Sequence, residues 1–415
     1  MKIGKSQNHA LSIDELFRLA DENNRNIRVF STAVQEAEAS VKTAKNALLP
    51  SIDASLSLSY NSNGLITDRN FSNSFSAPIP HFGNNFSLEV SQVVFAGGAI
   101  RNTVKIAGLQ QQIATLNAER KRQEVHFLIT GYYLELCKLK NQLQVFESNI
   151  AQTQKVLENM RMRVGEGTAL QNDITRYELQ LQNLDYTKIQ LQNSIALLNS
   201  QLTTAAGLPQ SVIIVPDTTI VRANLKNDPI PDPTTALAVQ IAETTGKIAV
   251  HTEKISRAER LPQIVLFAGD YLNSPVTIEI PALNKNFNYW TVGIGIKYSL
   301  GNLYKSGAKI RASRLATRRA NEEKAVIEEQ VSLALDDAFV HYKEAFTLLK
   351  TKEKSIELAT RNYHVIAYRY ENDLALITDL LDAASQKLDA ELQAVNARIN
   401  IVYNYYKLKY ISGTL

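Results

Sequence analysis

The chain has 415 residues, of which 45% are hydrophobic and 21% charged, with a formal net charge of +4. These are globular values that exclude wholesale disorder, and so small a charge with no long single-sign block gives no support for nucleic acid as a partner. A lone cysteine, Cys137, excludes an intrachain disulfide framework, a cysteine-built zinc site and an N-terminal lipid anchor on cysteine.

The opening Met1–Ala10 is polar and lacks an apolar run, so no signal peptide is visible in it. Ser12–Ile13–Asp14–Glu15 is a capping-box start for a first helix. Leu49–Pro50 ends that helix and opens a strand. In Ser51–Tyr60, Ile52, Ala54, Leu56, Leu58 and Tyr60 share one face, and Ser51, Asp53, Ser55, Ser57 and Ser59 the other. A second, weaker strand is expected over Asn85–Phe95, and Gly97–Gly98 marks a strand-to-helix junction rather than a phosphate loop, because the later glycine and lysine of a P-loop do not stand at their spacing.

All eleven prolines lie between Pro50 and Pro80 or between Pro209 and Pro281. Proline costs about 3 kcal/mol inside a helix, so the two proline-free tracts invite long helices. One from about Ala99 to Val164 would be on the order of 100 Å long at 1.5 Å per residue. Cys137 sits in it among apolar neighbours as a packed thiol. Gly165–Gly167 then supplies a reversal, and a further helix runs to Gly207. Leu208–Pro233, with five of the eleven prolines, is expected to be a linker or small side domain.

After it come another helix, Leu261–Pro262 and a weaker strand over Gln263–Tyr271. Trp290–Leu300 alternates cleanly, with Trp290, Val292, Ile294, Ile296, Tyr298 and Leu300 on one face. No stretch approaches the roughly 18 apolar residues of a spanning helix, so contact with a bilayer would have to use strands. The second helical tract carries a seam of steps of four and three: Val331, Leu335, Ala338, Tyr342, Ala345, Leu349, Ile356, Ala359, Tyr363, Ile366 and Tyr370, broken once at Lys352. Asn372–Asp373 provides the second reversal, and the last helix ends at Gly413.

The chain reads as two copies. Leu49–Pro50 returns as Leu261–Pro262, Arg163 as Arg369, Ala169–Leu170 as Ala375–Leu376, Asp173 as Asp379 and Gly207 as Gly413. The expected organisation is a first repeat over 1–207, a linker or equatorial segment over 208–235 and a second repeat over 236–415. Each repeat reads helix, strand, loop, strand, long helix, turn, helix. Four alternating strands are compatible with a half-buried sheet in a soluble protein. Beside helices this long, with nothing to cover their apolar face, lipid is the better cover.

Taken in order, LSIDELFRLADENN, NALLPSIDASLSL, VVFAGGAIRN, RVGEGTALQND and YENDLALITDLLDA resemble the TolC-like outer-membrane efflux family over nearly the whole chain. The resemblance implies an α+β membrane protein: a homotrimer whose twelve-stranded barrel takes four strands from each chain and continues as an α-helical coiled-coil tunnel. It implies the outer membrane of a Gram-negative bacterium with a periplasmic extension, contact with outer-membrane lipid, and as partners a periplasmic adaptor (membrane fusion) protein and an inner-membrane transporter. Asp379, Asp382 and Tyr370 match the family's periplasmic constriction. A solvated helix face is the other reading of the two aspartates. Adaptor docking is expected at the hairpin tips, on Arg163, Val164, Gly165, Gly167, Thr168, Ala169 and Leu170, and on Asn372, Asp373, Leu374 and Ala375. The family's arginine between the tyrosine and the aspartates is Ala375 here, so a closed state held by an arginine at that position is not implied.

The six histidines, His9, His81, His126, His251, His341 and His364, show no metal-ligand spacing, and no catalytic motif occurs. No cofactor or metal and no enzymatic activity are expected. Tyr60, Phe71, Phe75, Trp290 and Tyr298 form an interfacial belt or fill loops near the mouth. The function expected is an exit duct that conducts small molecules passively in a tripartite efflux pump. Protein secretion and metal-ion export are alternatives, and a periplasmic coiled-coil scaffold or adaptor is the reading from another class.

Overall fold

A computed structural model describes residues 8–217 and 232–415. In the first half the elements are β1 (Asn8–Leu11), α1 (Ile13–Asn23), α2 (Arg25–Asn46), β2 (Ser51–Tyr60), β3 (Gly64–Ile66), β4 (Phe75–Ala77), β5 (Phe82–Phe95), α3 (Ala99–Gly165) and α4 (Gln171–Ala205). There follow β6 (Ile213–Pro216), a short 3-10 turn at Pro233–Thr235, α5 (Leu237–Ala258), β7 (Gln263–Ser274), β8 (Phe287–Lys297), α6 (Gly301–Glu371) and α7 (Ile377–Ser412). The chain forms two compact units, residues 1–33, 114–241 and 325–415 in one and 34–113 and 242–324 in the other.

The second of these units is built on an antiparallel sheet in the order β2–β5–β7–β8. On β2 and β5 serine and charged residues fall on one face: Ser51 faces Ser91, Asp53 faces Glu89 and Ser55 faces Ser87, with the Oγ atoms of the two serine pairs 2.7 and 2.9 Å apart. β7 and β8 continue that face with glycines and the aromatic rings of Phe267, Tyr271 and Tyr289. The other face continues as Ile52–Val90–Ala268–Val292 across all four strands, flanked by the pairs Leu56–Phe86, Leu266–Ile294 and Ile264–Ile296. Six of these ten side chains are exposed, among them Val292 at 73%, Ile296 at 69% and Leu56 at 67%, while Val90, Ala268, Phe86 and Ile264 are half-buried. A sheet of this kind is stable only if something apolar lies against that face. One polar pair interrupts it toward the loop end, where Asn288 Nδ2 donates to Asp270 Oδ1 at 2.9 Å beside Trp290. The outer edges of β2 and β8 have no strand partner among the described residues.

The other unit packs α1, the larger parts of α3 and α6, α4 and α7, and pairs β1 with β6 in parallel. Its main core joins Ile13, Leu16 and Ala20 of α1 to Ile129, Tyr133 and Leu136 of α3, with Leu202 of α4, Ile214 of β6 and Val402 of α7. The seam on α6 faces inward as its spacing requires: Leu335, Ala338, Tyr342, Ala345 and Tyr363 are buried. At the break, the Lys352 ammonium donates to Gln393 Oε1 of α7.

Several boundaries differ from the sequence reading. The first helix is two helices: Asn24 breaks it by accepting from the amides of Asn26 and Ile27 while its own amide donates to the Ala205 carbonyl at 2.7 Å. The strand expected over Trp290–Leu300 is Phe287–Lys297, so Tyr298 and Leu300 lie outside it, because the chain turns there into α6. β5 starts at Phe82 and β7 runs on to Ser274, each beyond the limit expected, because both strands keep pairing there. The hairpin of β3 and β4 was not expected. In the supposed linker, Ile213–Pro216 forms β6, whose pairing partner is far away in sequence; residues 218–231 of that segment lie outside the described residues. Gly207, expected as a helix cap, has φ +70, and a Cβ there would stand 2.7 Å from Asn23 Cβ.

Candidate functional site: the two helix reversals

The reversal between α3 and α4 and that between α6 and α7 are tied by the same backbone bonds. Thr168 N donates to Arg163 O at 2.9 Å and Leu374 N to Arg369 O at 2.8 Å; Gly167 N donates to Val164 O and Asp373 N to Tyr370 O, each at 3.1 Å. Each bond recurs with every residue shifted by the same interval along the chain, the interval that separates Ala169–Leu170 from Ala375–Leu376. Both turns pass through the left-handed region once, at Gly167 with φ +77 and at Asp373 with φ +61. Aspartate tolerates that conformation better than most side chains do. Gly165 keeps ordinary helical backbone as the last residue of α3.

A charge distinguishes the turns. Asp373 stands where the first turn has Gly167, and its carboxylate pairs with the guanidinium of Arg163. Arg163 also donates from Nη1 to the Tyr370 carbonyl at 3.2 Å and lies 5.5 Å from the centroid of the Tyr370 ring. The clasp is half-sheltered, with the Arg163 side chain 20% exposed and that of Asp373 70%. Burial, then the nearby Asp173 carboxylate, raises the Tyr370 hydroxyl above the usual tyrosine range, with Arg163 opposing. Beneath the turns, Leu157, Met160, Ile174, Tyr177, Tyr363, Ile377 and Leu380 form a separate apolar cluster.

Asp379 and Asp382 lie on exposed positions of the first turns of α7. The Asp379 carboxylate accepts from its own Leu376 amide at 3.1 Å and so caps the helix; Asp382 accepts from Gln386 Nε2 at 2.7 Å. Neither has a cationic partner among the described residues. Asp173 holds the equivalent position on α4. A cleft of about 380 Å³ separates the reversals, walled by Arg163, Thr168, Ala169, Leu170 and Asp173 on one side and Tyr370, Asp373, Ala375 and Leu376 on the other. Of the eleven expected tip residues the cleft is lined by six, Arg163, Thr168, Ala169, Leu170, Asp373 and Ala375, while Val164, Gly165, Gly167, Asn372 and Leu374 are not in its wall and Asp379 and Asp382 sit just past it. Arg176, also lining the cleft, was not singled out in the sequence. Its only signal was a cation one helical turn beyond Asn172.

The remaining candidates are accounted for locally. Cys137 is buried, and burial pushes its thiol up to about 12, the state of an inert packed cysteine. His126 is buried, stacked on Phe17 at 4.2 Å and bonded to Asp21 at 2.8 Å. Tyr60, Phe71, Phe75, Trp290 and Tyr298 are all exposed. Among the described residues no helix is long and apolar enough to cross a membrane, and no three His, Cys, Asp or Glu side chains gather around a common point.

Residues 16–208 match the family model described as outer membrane efflux protein. A curated relative, the outer membrane efflux protein BepC of Brucella suis biovar 1 (strain 1330), is 21% identical over 340 residues, which cover 79% of this chain and 72% of that protein. Among solved structures, the outer membrane protein VceC of Vibrio cholerae matches with a TM-score of 0.80 at 14% identity, covering 97% of this chain and 96% of its own. The Campylobacter jejuni CmeC outer membrane channel matches with a TM-score of 0.78 at 14% identity, covering 100% and 90%.

Proposed function

We infer that this chain, a TolC-like relative of the outer membrane efflux proteins through residues 16–208 and an owner of their channels' fold along its whole length, works as the outer-membrane exit duct of an efflux assembly. Three copies close their sheets edge to edge, β8 of one against β2 of the next, and so remove the two open edges each copy presents. The apolar face meets lipid and the serine-rich face lines water. The two halves arise from one duplicated unit, which the matching turns support.

Conduction is passive. No side chain needs to react; the duct offers a polar path, and energy and substrate choice come from an inner-membrane transporter reached through a periplasmic adaptor. The adaptor docks on the cleft between the reversals. Asp379 and Asp382, repeated around the threefold axis, crowd six carboxylates at the entrance and favour cations there. The Arg163 clasp holds each copy's second reversal against its first and keeps the entrance narrow. Small molecules are the cargo.

The observation that carries this reading is the exposed apolar face of a four-stranded sheet with two open edges. Reconstitution into vesicles loaded with a small dye tests it. Steady dye release by a trimeric protein that needs detergent in solution is the expected result. A protein soluble without detergent that leaves the vesicles sealed supports a periplasmic scaffold instead.

A further inference from the structure

At one end of the sheet the strands pass into helices: Ser51 opens β2, Phe95 ends β5, Gln263 opens β7 and Lys297 ends β8. The stretches that meet there are residues 39–50, 99–110, 251–262 and 297–311. They carry eleven lysines and arginines against two carboxylates, in a chain whose net charge is +4. Both carboxylates are engaged, Glu253 with Arg257 at 2.5 Å and Glu259 with Lys309. Lys42, Lys45, Arg101, Lys105, Lys305 and Arg311 are exposed and have no carboxylate partner among the described residues. His251 lies in the same field: burial, then Lys254 and Lys105, hold its imidazole below the usual histidine range. The cations are dispersed in sequence, and the sheet collects them at one level.

That level is set by the apolar face. Ile52, Ile264 and Ile296 are its last apolar rows on the helix side. Where such a face ends, the hydrocarbon ends, and the headgroup zone extends about 5–7 Å further. That is a few residues of helix, within reach of lysine and arginine side chains that lay their methylenes on apolar surface and lift the charge into water.

We propose that this basic collar binds the anionic phosphates of phospholipid headgroups in the leaflet on the helix side of the sheet. The proposal rests on the sheet spanning a bilayer, as inferred above. The charge is predominantly of one sign, and its members nearest the sheet on the four connections, Lys45, Arg101, Arg260 and Lys305, stand three to eight residues from the strand ends. Carboxylates are almost absent from it, which separates it from an ordinary mixed-charge helix surface.

The test uses the full chain in vesicles of phosphatidylcholine alone and of phosphatidylcholine mixed with phosphatidylglycerol. Lipids retained after mild detergent extraction are identified by native mass spectrometry. The expected result is enrichment of phosphatidylglycerol over its share in the vesicle by about fivefold or more, falling toward parity in high salt and in the variant K42Q/K45Q/R101Q/K105Q/K305Q/R311Q. Wild type that inserts in both vesicles and retains the two lipids in proportion overturns the collar and leaves the spanning sheet standing. Inorganic phosphate that displaces the lipid where chloride of equal ionic strength does not would assign the site to a free anion and overturn the lipid assignment. Failure to insert in either vesicle defeats the spanning sheet itself, and the collar with it. The salt series on wild type decides the matter even if the sixfold variant does not fold.

Discussion

The guanidinium of Arg163, in the last turn of α3, pairs with the carboxylate of Asp373 in the turn after α6, so the two reversals of one chain are clasped by a single arginine. The arginine comes from the first half and its acceptors, the Asp373 carboxylate and the Tyr370 carbonyl, from the second. The position at which an arginine would have been sought, Ala375, lines the same cleft without taking part.

Because Asp373 is largely exposed, the pair itself stabilises the fold by less than about 1 kcal/mol. Arg163→Ala and Asp373→Asn are therefore expected to leave the thermal midpoint nearly unchanged. Their effect falls on the entrance: in dye-loaded vesicles either variant should release a larger dye that wild type retains. The double variant should do no more than Arg163→Ala alone, which already removes the whole clasp, whereas Asp373→Asn leaves the contacts of Arg163 with Tyr370. Additive effects, or unchanged release in both, would show that the clasp does not hold the entrance.

Gly207 and Gly165 make a matched pair for stability. At Gly207 an added Cβ meets Asn23 at 2.7 Å and φ is +70, so Gly207→Ala should cost at least about 1–2 kcal/mol from backbone strain alone. At Gly165 nothing lies within 4 Å and the backbone is helical, so Gly165→Ala should be neutral or stabilise by up to about 1 kcal/mol. Thermal unfolding in detergent reads both. Equal losses would place the constraint elsewhere than at Asn23.

His126 links stability to pH. Burial holds its imidazole below the ordinary value of 6.5, and the bonded Asp21 carboxylate only partly offsets that. With Arg122 and Glu119 as the other charged groups around it, the depressed folded value means that the unfolded chain takes up the proton first. The stability this contributes is complete above 6.5 and is lost as pH falls through the folded value. The thermal midpoint of wild type should fall between pH values above and below 6.5 more than that of His126→Gln does. Parallel curves would mean that His126 does not titrate differently on folding.

Much of this was legible in the residues themselves. The alternation of Ser51–Tyr60 gave β2 its limits, Gly97–Gly98 gave the start of α3, and Gly165–Gly167 gave its end to within one residue, because each is a local backbone or periodicity signal. What stayed hidden was set at a distance. The break at Asn24 depends on the Ala205 carbonyl, 181 residues away. Strand β6 exists only because β1 lies beside it, and the Arg163–Asp373 clasp spans 210 residues. The match between Gly167 and Asp373 in the repeat was the one available hint, since a charge had replaced a glycine at an exposed turn. The basic collar was invisible for the same reason: its four stretches are far apart in the chain, and only the sheet brings them to one level.

The most direct test of a duct with an acidic entrance is single-channel current through the purified protein in a planar bilayer, wild type beside Asp379→Ala/Asp382→Ala. The account predicts steady, cation-selective conductance in wild type, and loss of that selectivity with conductance retained in the double variant, whose two carboxylates are exposed and unpaired with cations among the described residues. Absence of any conductance in wild type, or selectivity that the double variant leaves unchanged, would contradict it.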